Sequence, residues 1–286
     1  MTLLTWLYAP ADRPAVVAKA LAAGADAVVV DLQDAVAADR KDVARETLAE
    51  HLAAWSEQAG AHGVELHVRV NEPGGDPGAR DLAILGSLDG VDGIDVVRVP
   101  RVEQPDDLDP VREAWGDRAL RLHPLIETAR GLRQAFEIAA APDVAAISLG
   151  EGDLSVDLGV TDEDGLTWAR SRLVVAAAAA GLPAPSMSVF GDLSDERGLA
   201  GSCALGRRLG MRGRAAIHPR QLPAIVEAFT PGAREIALAQ QVIDAAERSG
   251  GARRLADGRF VDAPVVAAAR RVLAGRRDRH EKKETT

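Results

Sequence analysis

The feature that most constrains this chain is a regular alternation of short apolar runs with longer segments of helical periodicity. Strands are predicted over 3–8, 27–32, 65–70, 95–99, 120–126, 144–149, 184–189 and 215–217. Helices are predicted between them, near 13–23, 39–59, 79–88, 106–115, 128–141, 164–180, 195–209 and 219–228. Eight strands that are each followed by a helix match the count of a closed barrel. The predicted fold class is therefore α/β, a (β/α)8 TIM barrel.

A second region follows the barrel, which we expect to occupy residues 1–230. Pro231 and Gly232 interrupt the helical pattern at its end. An amphipathic helix near 233–248, a hairpin at Asp257-Gly258 and a helix near 264–273 are predicted beyond them. We expect residues 231–275 to form a C-terminal helical and hairpin extension, and the charged residues 276–286 to be disordered.

Charge and composition exclude several classes of partner. The net charge is −9 and the pI is about 5.2, so neither a nucleic-acid surface nor a polybasic membrane contact is expected. No apolar run approaches the roughly 20 residues of a membrane span, and the first residues lack the basic region of a signal peptide. Cys203 is the only cysteine, which excludes an intramolecular disulfide and fits a reducing compartment. We therefore expect a soluble, cytoplasmic protein with small-molecule partners.

Acidic residues follow two neighbouring strands at the end where barrel enzymes carry their chemistry. Glu127 follows the fifth predicted strand and Asp153 follows the sixth. Such a pair suits a hard cation, because Mg²⁺ takes oxygen ligands and retains waters. The alternative for Glu127 is a carboxylate at a helix N-terminus, paired with Arg130 or Arg133. The pattern predicts a Mg²⁺ site at Glu127 and Asp153, with Mn²⁺ as the alternative metal.

The segment Gly150-Glu-Gly-Asp153 ends a buried strand with glycines and a carboxylate. Glycine lets the backbone approach a ligand closely, so this form predicts that Asp153 points into a site. Glu151 is expected to face solvent. Arg69, at the end of the third strand, is predicted either to grip a substrate carboxylate or carbonyl, or to pair with Asp31 or Asp34.

Eight short motifs follow one another in order over about residues 4–273. They are Leu7-Tyr-Ala-Pro-Ala-Asp-Arg-Pro14, Val30-Asp-Leu-Gln-Asp-Ala-Val36, Val68-Arg-Val-Asn71, Val99-Pro-Arg-Val-Glu103, Leu125-Ile-Glu-Thr-Ala-Arg-Gly131, Gly150-Glu-Gly-Asp-Leu154 with Asp157-Leu-Gly159, Ile217-His-Pro-Arg-Gln221 and Val261-Asp-Ala-Pro-Val265. Together these motifs resemble a known family, the citrate lyase β-subunit-like proteins of the HpcH/HpaI aldolase/citrate lyase group.

The resemblance implies a Mg²⁺-dependent lyase that cleaves or forms a 3-hydroxyacyl-CoA thioester of the citramalyl-, malyl- or citryl-CoA type. The products would be an acyl-CoA such as acetyl-CoA and an α-keto acid. It implies that Glu127 and Asp153 hold the metal and bind substrate through it. It further implies that Arg69 binds substrate as a catalytic group, with Asp34 beside it.

The same resemblance gives the C-terminal extension a purpose as an inter-subunit lid. Asp262 of the Val-Asp-Ala-Pro motif would be a catalytic residue over a neighbouring subunit's site, in a homotrimer or hexamer. A backbone amide at Gly152 would bind the keto acid's carboxylate. Arg13 is the predicted contact to the coenzyme A phosphates.

Two positions depart from the family pattern. Gln33 stands where a glutamate is usual, and Arg101 where a lysine is common. Two alternative functions stay open, and the loss of a carboxylate at Gln33 bears on the second of them. One is a CoA-independent class II aldolase that acts on pyruvate. The other is a non-catalytic protein, either a CoA-ester-binding barrel or a subunit of a larger complex.

Overall fold

The structure is a computed structural model that describes residues 3–88, 93–247, 253–254 and 260–275. The chain divides into two compact units, one from Leu3 to Val226 and one that begins at Glu227. The first unit contains a seven-stranded sheet in the order β6-β5-β4-β3-β2-β1-β7, with every neighbouring pair parallel. The strands are β1 Thr5–Pro10, β2 Ala27–Asp31, β3 Glu65–Arg69, β4 Val96–Val99, β5 Leu122–Ile126, β6 Ser148–Leu149 and β7 Arg214–Ala216.

Where a closed barrel of eight strands was expected, the described residues form a curled parallel sheet of seven strands. Side chains from β1 through β7 line one cavity, so the sheet bends around a common interior. The strand expected over 184–189 is reduced to a single bridge between Met187 and Arg214. Pro183 and Pro185 both lie just before Met187, and proline has no amide hydrogen to extend a ladder. No ladder joins β6 to 184–189 in the described residues.

Helices connect the strands of the first unit and cover the sheet. They are α1 Pro14–Leu21, α2 Lys41–His62, α3 Asp76–Ser87, α4 Asp109–Trp115, α5 Ala129–Arg133, α6 Ala135–Ala139, α7 Glu151–Leu158, α8 Thr167–Ala179, α9 Glu196–Leu209 and α10 Leu222–Phe229, the last of which runs into the second unit. Short 3₁₀ turns occupy Ala38–Arg40, Pro105–Leu108, Glu163–Leu166 and Pro219–Gln221.

The strands are apolar on both faces, as buried parallel strands require. On the outer face, Val28, Val30, Leu66 and Val68 are fully buried beneath the helices. On the inner face, Trp6 packs with Ala27 and Val29. This inner cluster fills the amino-terminal end of the curled sheet, so the open space lies at the carboxyl end, where the polar residues were expected.

The second unit contains α11 Ala233–Glu247 and α12 Ala263–Ala274. Its core consists of four buried residues, Ala239, Val242, Val261 and Ala269. The strands β8 Arg253–Arg254 and β9 Phe260–Val261 pair antiparallel, as the expected hairpin requires. Its predicted turn at Asp257-Gly258 and the tail 276–286 lie outside the described residues. Within the described part, no helix combines the length and apolarity that a membrane crossing needs.

Candidate active site

Arg69, at the end of β3, is held by a buried carboxylate. Its Nε and Nη2 donate to the two oxygens of Asp31 at 2.7 and 2.6 Å, and its Nη1 lies 3.1 Å from Asp34 Oδ2. Asp31 also accepts from the amides of Gln33 and Ala35, which fixes its orientation. Burial opposes the charged guanidinium, but the bonds to Asp31 outweigh it and raise the pKa of Arg69. The structure is therefore compatible with both predictions for Arg69. Its guanidinium pairs with Asp31 and Asp34, and its side chain also lines the cavity.

Glu127 follows β5 and is buried, with 3% of its surface exposed. Burial and then the charge of Asp153 raise its pKa to about 7, against the opposing effect of Arg69. The backbone amide of Arg101 donates to its Oε2 at 3.1 Å. No ion pair joins Glu127 to Arg130 or Arg133 among the described residues, which removes the structural alternative for this carboxylate.

Asp153 lies in the first turn of α7, which begins directly after β6. Side chains of this helix form hydrogen bonds with two other segments, which hold it in place. Arg170 donates from Nε and Nη2 to both oxygens of Glu151 at 2.7 Å, and Asp157 accepts from the Ala129 amide at 2.6 Å. The expectation that Glu151 faces solvent is wrong, because Arg170 is almost fully buried and needs a counter-charge.

The two glycines of the Gly150-Glu-Gly-Asp153 segment do different work. A Cβ on Gly150 would lie 2.3 Å from Glu127 Cγ, so only glycine lets β6 pass this close to the carboxylate. A Cβ on Gly152 would meet nothing within 4 Å. Gly152 is exposed in the first turn of α7, where amides have no partner within the helix. Its predicted substrate contact is therefore through the backbone alone.

The residues Asp31, Asp34, Arg69, Glu127 and Asp153 are called the site mouth below. It carries four carboxylates and one arginine, and that arginine is already paired. The charges of Asp153 and Asp34 both raise the pKa of Glu127, which shows an excess of negative charge here. No group of three or more Asp, Glu, His or Cys side chains in the described residues is arranged to hold a metal. Two carboxylates beside open space fit Mg²⁺, which completes its shell with water and substrate oxygens.

Both departures from the family pattern lie beside this mouth. Arg101 has a positive φ of 53°, a conformation that is uncommon for a residue with a Cβ and aims its amide at Glu127. Its guanidinium extends away, 3.3 Å from Glu72. Gln33 lines an adjoining cavity of about 470 Å³ and is half-buried. Lys41 binds the carbonyls of Leu32 and Gln33 at 2.7 and 2.6 Å, which fixes the loop that carries Asp34.

The remaining predicted residues lie elsewhere. Arg13 is exposed at the start of α1, just beyond the carboxyl end of β1. Asp262 belongs to the second unit, where its Oδ1 accepts from the Val265 amide at 3.1 Å and caps α12. Asp262 therefore has a helix-capping role within its own unit, and its catalytic role stays a prediction.

Comparison with known proteins decides the family. The family model of HpcH/HpaI aldolase/citrate lyase matches residues 4–219, most of the chain. The chain belongs to this family. The resemblance expected from the motifs is confirmed, and with it a metal-dependent lyase that acts on coenzyme A esters.

Relatives within the HpcH/HpaI family span nearly the whole chain. A (3S)-malyl-CoA thioesterase of Cereibacter sphaeroides is 34% identical over 94% of this chain and 92% of its own length. The L-malyl-CoA/β-methylmalyl-CoA lyase of Rhodobacter capsulatus is 31% identical over 92% and 91%. CitE of Mycobacterium tuberculosis, solved with magnesium, acetoacetate and coenzyme A, has a TM-score of 0.80 at 32% identity, covering 95% of this chain and 97% of its own.

Sequence reasoning missed several polar residues inside the curled sheet. The cavity at the site mouth has a volume of about 290 Å³ and extends inward to Tyr8, Arg98, Ser148 and Ser186. Arg98 had a signal in the sequence, since it is a charge in the middle of the apolar strand Val96–Val99. The pairing of Glu151 with Arg170 had none, because it joins two helices across 19 positions.

Proposed function

We propose that this chain is a Mg²⁺-dependent carbon–carbon lyase acting on a 3-hydroxyacyl-CoA thioester of the citramalyl-, malyl- or citryl-CoA type. The products are an acyl-CoA such as acetyl-CoA and an α-keto acid, and the reaction is reversible. The observation that carries the proposal is the site mouth itself. Two carboxylates from neighbouring βα units, Glu127 and Asp153, come close enough that burial and then the charge of Asp153 raise the pKa of Glu127, beside a firmly held arginine.

The metal's contribution is to polarise the carbonyl oxygen of the keto acid. Glu127 and Asp153 would hold the metal. The first-turn amides of α7, including that of Gly152, have no partner within the helix and would suit a substrate carboxylate. Arg69 binds the thioester oxygen, where negative charge develops, and Asp31 keeps its guanidinium in place.

Cleavage proceeds by transfer of the 3-hydroxyl proton to a base, proposed to be Asp34, and rupture of the C2–C3 bond. The hydroxyl oxygen becomes the carbonyl of the keto acid, and the electron pair remains on C2 as the thioester enolate. C2 then takes a proton to give the acyl-CoA. Asp262 of a neighbouring subunit is the proposed donor of that proton, and acts as the base in the reverse direction. Asp34, beside Arg69, is the further proposed catalytic group.

The wider assembly is part of the same proposal. Residues 231–275 would act as a lid over a neighbouring subunit in a homotrimer or hexamer, while Arg13 contacts the coenzyme phosphates. The proposal also includes a cytoplasmic location for the protein.

The test is incubation of the protein with Mg²⁺, acetyl-CoA and separate keto acids, followed by mass spectrometry of the thioesters. We expect a new 3-hydroxyacyl-CoA with at least one keto acid, and no product in EDTA. Cleavage of free hydroxy-keto acids with all thioesters unchanged would instead establish a CoA-independent class II aldolase. If the protein turns over neither thioesters nor free hydroxy-keto acids, a non-catalytic binding protein or complex subunit would be favoured.

A second candidate is hydrolysis of the thioester itself, which one observation favours: a relative at 34% identity is named a thioesterase. The products distinguish the two reactions. A lyase gives a keto acid and an acyl-CoA, whereas a thioesterase gives free coenzyme A and an intact hydroxy acid. A thiol reagent added to the incubation of malyl-CoA with the protein separates these outcomes directly.

A further inference from the structure

Arg98 lies inside the curled sheet, with its guanidinium against Tyr8 and His67 and not against the carboxylates of the site mouth. It is in the middle of β4, is 1% exposed, and lines the inner end of the 290 Å³ cavity. In the strand register it is opposite Arg69 and His123. Glu127 comes four positions after His123, so it lies nearer the carboxyl end of the sheet than Arg98, and both side chains line the same cavity. A ligand held at Glu127 that enters this cavity therefore has its far end on the side of Arg98.

The hydrogen bonds of Arg98 leave one nitrogen free. Nη1 donates to the Tyr8 hydroxyl at 2.9 Å, and Nε is 3.4 Å from His67 Nδ1. Nη2 is buried and has no hydrogen-bond partner in the described part of the chain. Isolated buried donors are costly, and a buried cation more so, unless a partner compensates them.

No carboxylate forms an ion pair with Arg98 in the described residues, in contrast to Arg69 and Arg170. The aromatic rings of Trp6 and Tyr8 lie 5.8 and 5.7 Å from its guanidinium carbon, which offers weak cation–π stabilisation. A buried arginine of this kind needs an anion.

The neighbouring imidazoles do not add positive charge. Burial lowers the pKa of His67 to about 4, and burial followed by the charge of Arg98 lowers that of His123 further below its ordinary value. Both rings are neutral at pH 7. The residues Tyr8, His67, Arg98 and His123, called the inner layer below, therefore hold a single positive charge.

We propose that Arg98 Nη2 binds a carboxylate at the end of the keto-acid portion remote from Glu127 and Asp153, and that Arg98 thereby determines specificity. The inference rests on the proposed function and deepens it. It assigns the substrate class as an α-keto acid with a second carboxylate, in preference to one that ends in a methyl group. Guanidinium and carboxylate form charge-assisted hydrogen bonds, and the enclosed inner layer strengthens them.

The test uses a matched pair of ligands, oxaloacetate and 2-oxobutyrate, which have the same carbon chain with a carboxylate or a methyl group at the far end. Each is titrated by calorimetry into the Mg²⁺-loaded full-length protein, freshly prepared because oxaloacetate decarboxylates. We expect oxaloacetate to bind at least about 10-fold tighter, the scale of one hydrogen bond to a charged group. The Arg98→Gln variant should lose that difference while it retains 2-oxobutyrate binding within about twofold.

Arg80→Gln is the control, since Arg80 is an exposed arginine 3.6 Å from Asp42. It should leave both affinities unchanged. If Arg98→Gln does not fold, as judged by circular dichroism, Arg98→Lys keeps the charge without the planar fork and should weaken oxaloacetate alone.

Equal binding of the two keto acids by the unmodified protein would overturn the assignment and leave the proposed function intact. An unchanged preference for oxaloacetate over 2-oxobutyrate in a folded Arg98 variant would overturn it too, because binding of the second carboxylate would then not depend on Arg98. If neither keto acid binds the Mg²⁺-loaded protein, the proposed function itself is wrong, and the assignment falls with it.

Discussion

At the site mouth Arg69 shares its guanidinium between Asp31 and Asp34, whereas in the inner layer Arg98 has only a tyrosine hydroxyl and a neutral histidine. The two arginines lie side by side in register on neighbouring strands, and the centre of the Tyr8 ring lies 4.9 Å from the guanidinium carbon of Arg69 and 5.7 Å from that of Arg98. The mouth has negative charge in excess and suits a cation. The inner layer has an uncompensated positive charge and suits an anion. A ligand with a metal-binding end and an anionic end matches this polarity.

The largest effect should follow removal of either carboxylate of the predicted metal pair. Glu127→Gln and Asp153→Asn should each lower Mg²⁺-dependent turnover by about 10³-fold or more, because a bound metal contributes several kcal/mol of charge stabilisation. Steady-state kinetics across a Mg²⁺ titration measures this. Asp106→Asn, an exposed carboxylate on a 3₁₀ turn, is the control and should keep its activity. Near-normal turnover in either site variant would show that the mouth does not hold the metal.

The next effect separates the two partners of Arg69. Asp31→Asn removes a fully buried carboxylate and should lower the free energy of unfolding by about 3 kcal/mol, since it leaves a buried cation poorly paired. The side chain of Asp34 is 65% exposed, so the Asp34→Asn variant should lose less than about 1 kcal/mol of unfolding free energy. Urea denaturation compares the two. Similar losses in both variants would mean that burial does not distinguish these carboxylates.

A comparison of two buried arginines tests the same principle in the interior. Arg170→Met leaves Glu151 and Glu163 without their partner and should cost about 3 kcal/mol of unfolding free energy. Arg98→Met removes a cation that has no carboxylate, so its cost should be about 1 kcal/mol. Because Glu151 begins the helix that carries Asp153, Arg170→Met should also weaken Mg²⁺ binding by about 10-fold or more. Equal stability losses would contradict the description of Arg98 as uncompensated.

The smallest effect concerns acid stability. His67 is neutral in the folded protein, with a pKa lowered to about 4, so the unfolded chain binds a proton at higher pH than the folded one. Stability attributable to His67 is full above pH 6.5 and falls as the pH drops through the unfolded value. The expected loss between pH 7 and pH 5 is about 2 kcal/mol. His67→Gln should remove this increment from urea-denaturation curves at the two pH values. An identical pH dependence in the variant would show that His67 does not titrate as described.

The sequence predicted the mouth better than the inner layer, for a physical reason. The βα alternation assigns Arg69, Glu127 and Asp153 to one end of a parallel sheet, so their proximity follows from the pattern alone. The inward direction of Arg98 depends on the curl of the sheet, which periodicity does not specify.

Three other positions show what the sequence does and does not specify. Prolines at 183 and 185 prevent a full strand over 184–189, although the composition of that run is apolar. The sequence predicts Glu151 as a surface residue, because its partner Arg170 lies 19 positions later on another helix. The sequence places Gly150 at the end of a buried strand, but the close approach of its backbone to the Glu127 side chain follows only from the three-dimensional structure.

The central claim, that Glu127 and Asp153 together bind one divalent metal, is tested most directly by counting bound Mn²⁺ with electron paramagnetic resonance. Mn²⁺ is a paramagnetic substitute for Mg²⁺ in oxygen-ligand sites. We predict one tightly bound Mn²⁺ per chain in the unmodified protein and in Asp106→Asn, displaced by excess Mg²⁺. Folded Glu127→Gln and Asp153→Asn proteins should bind none in the same concentration range. Retention of the bound ion in either variant, or no bound ion in the unmodified protein, would contradict the account.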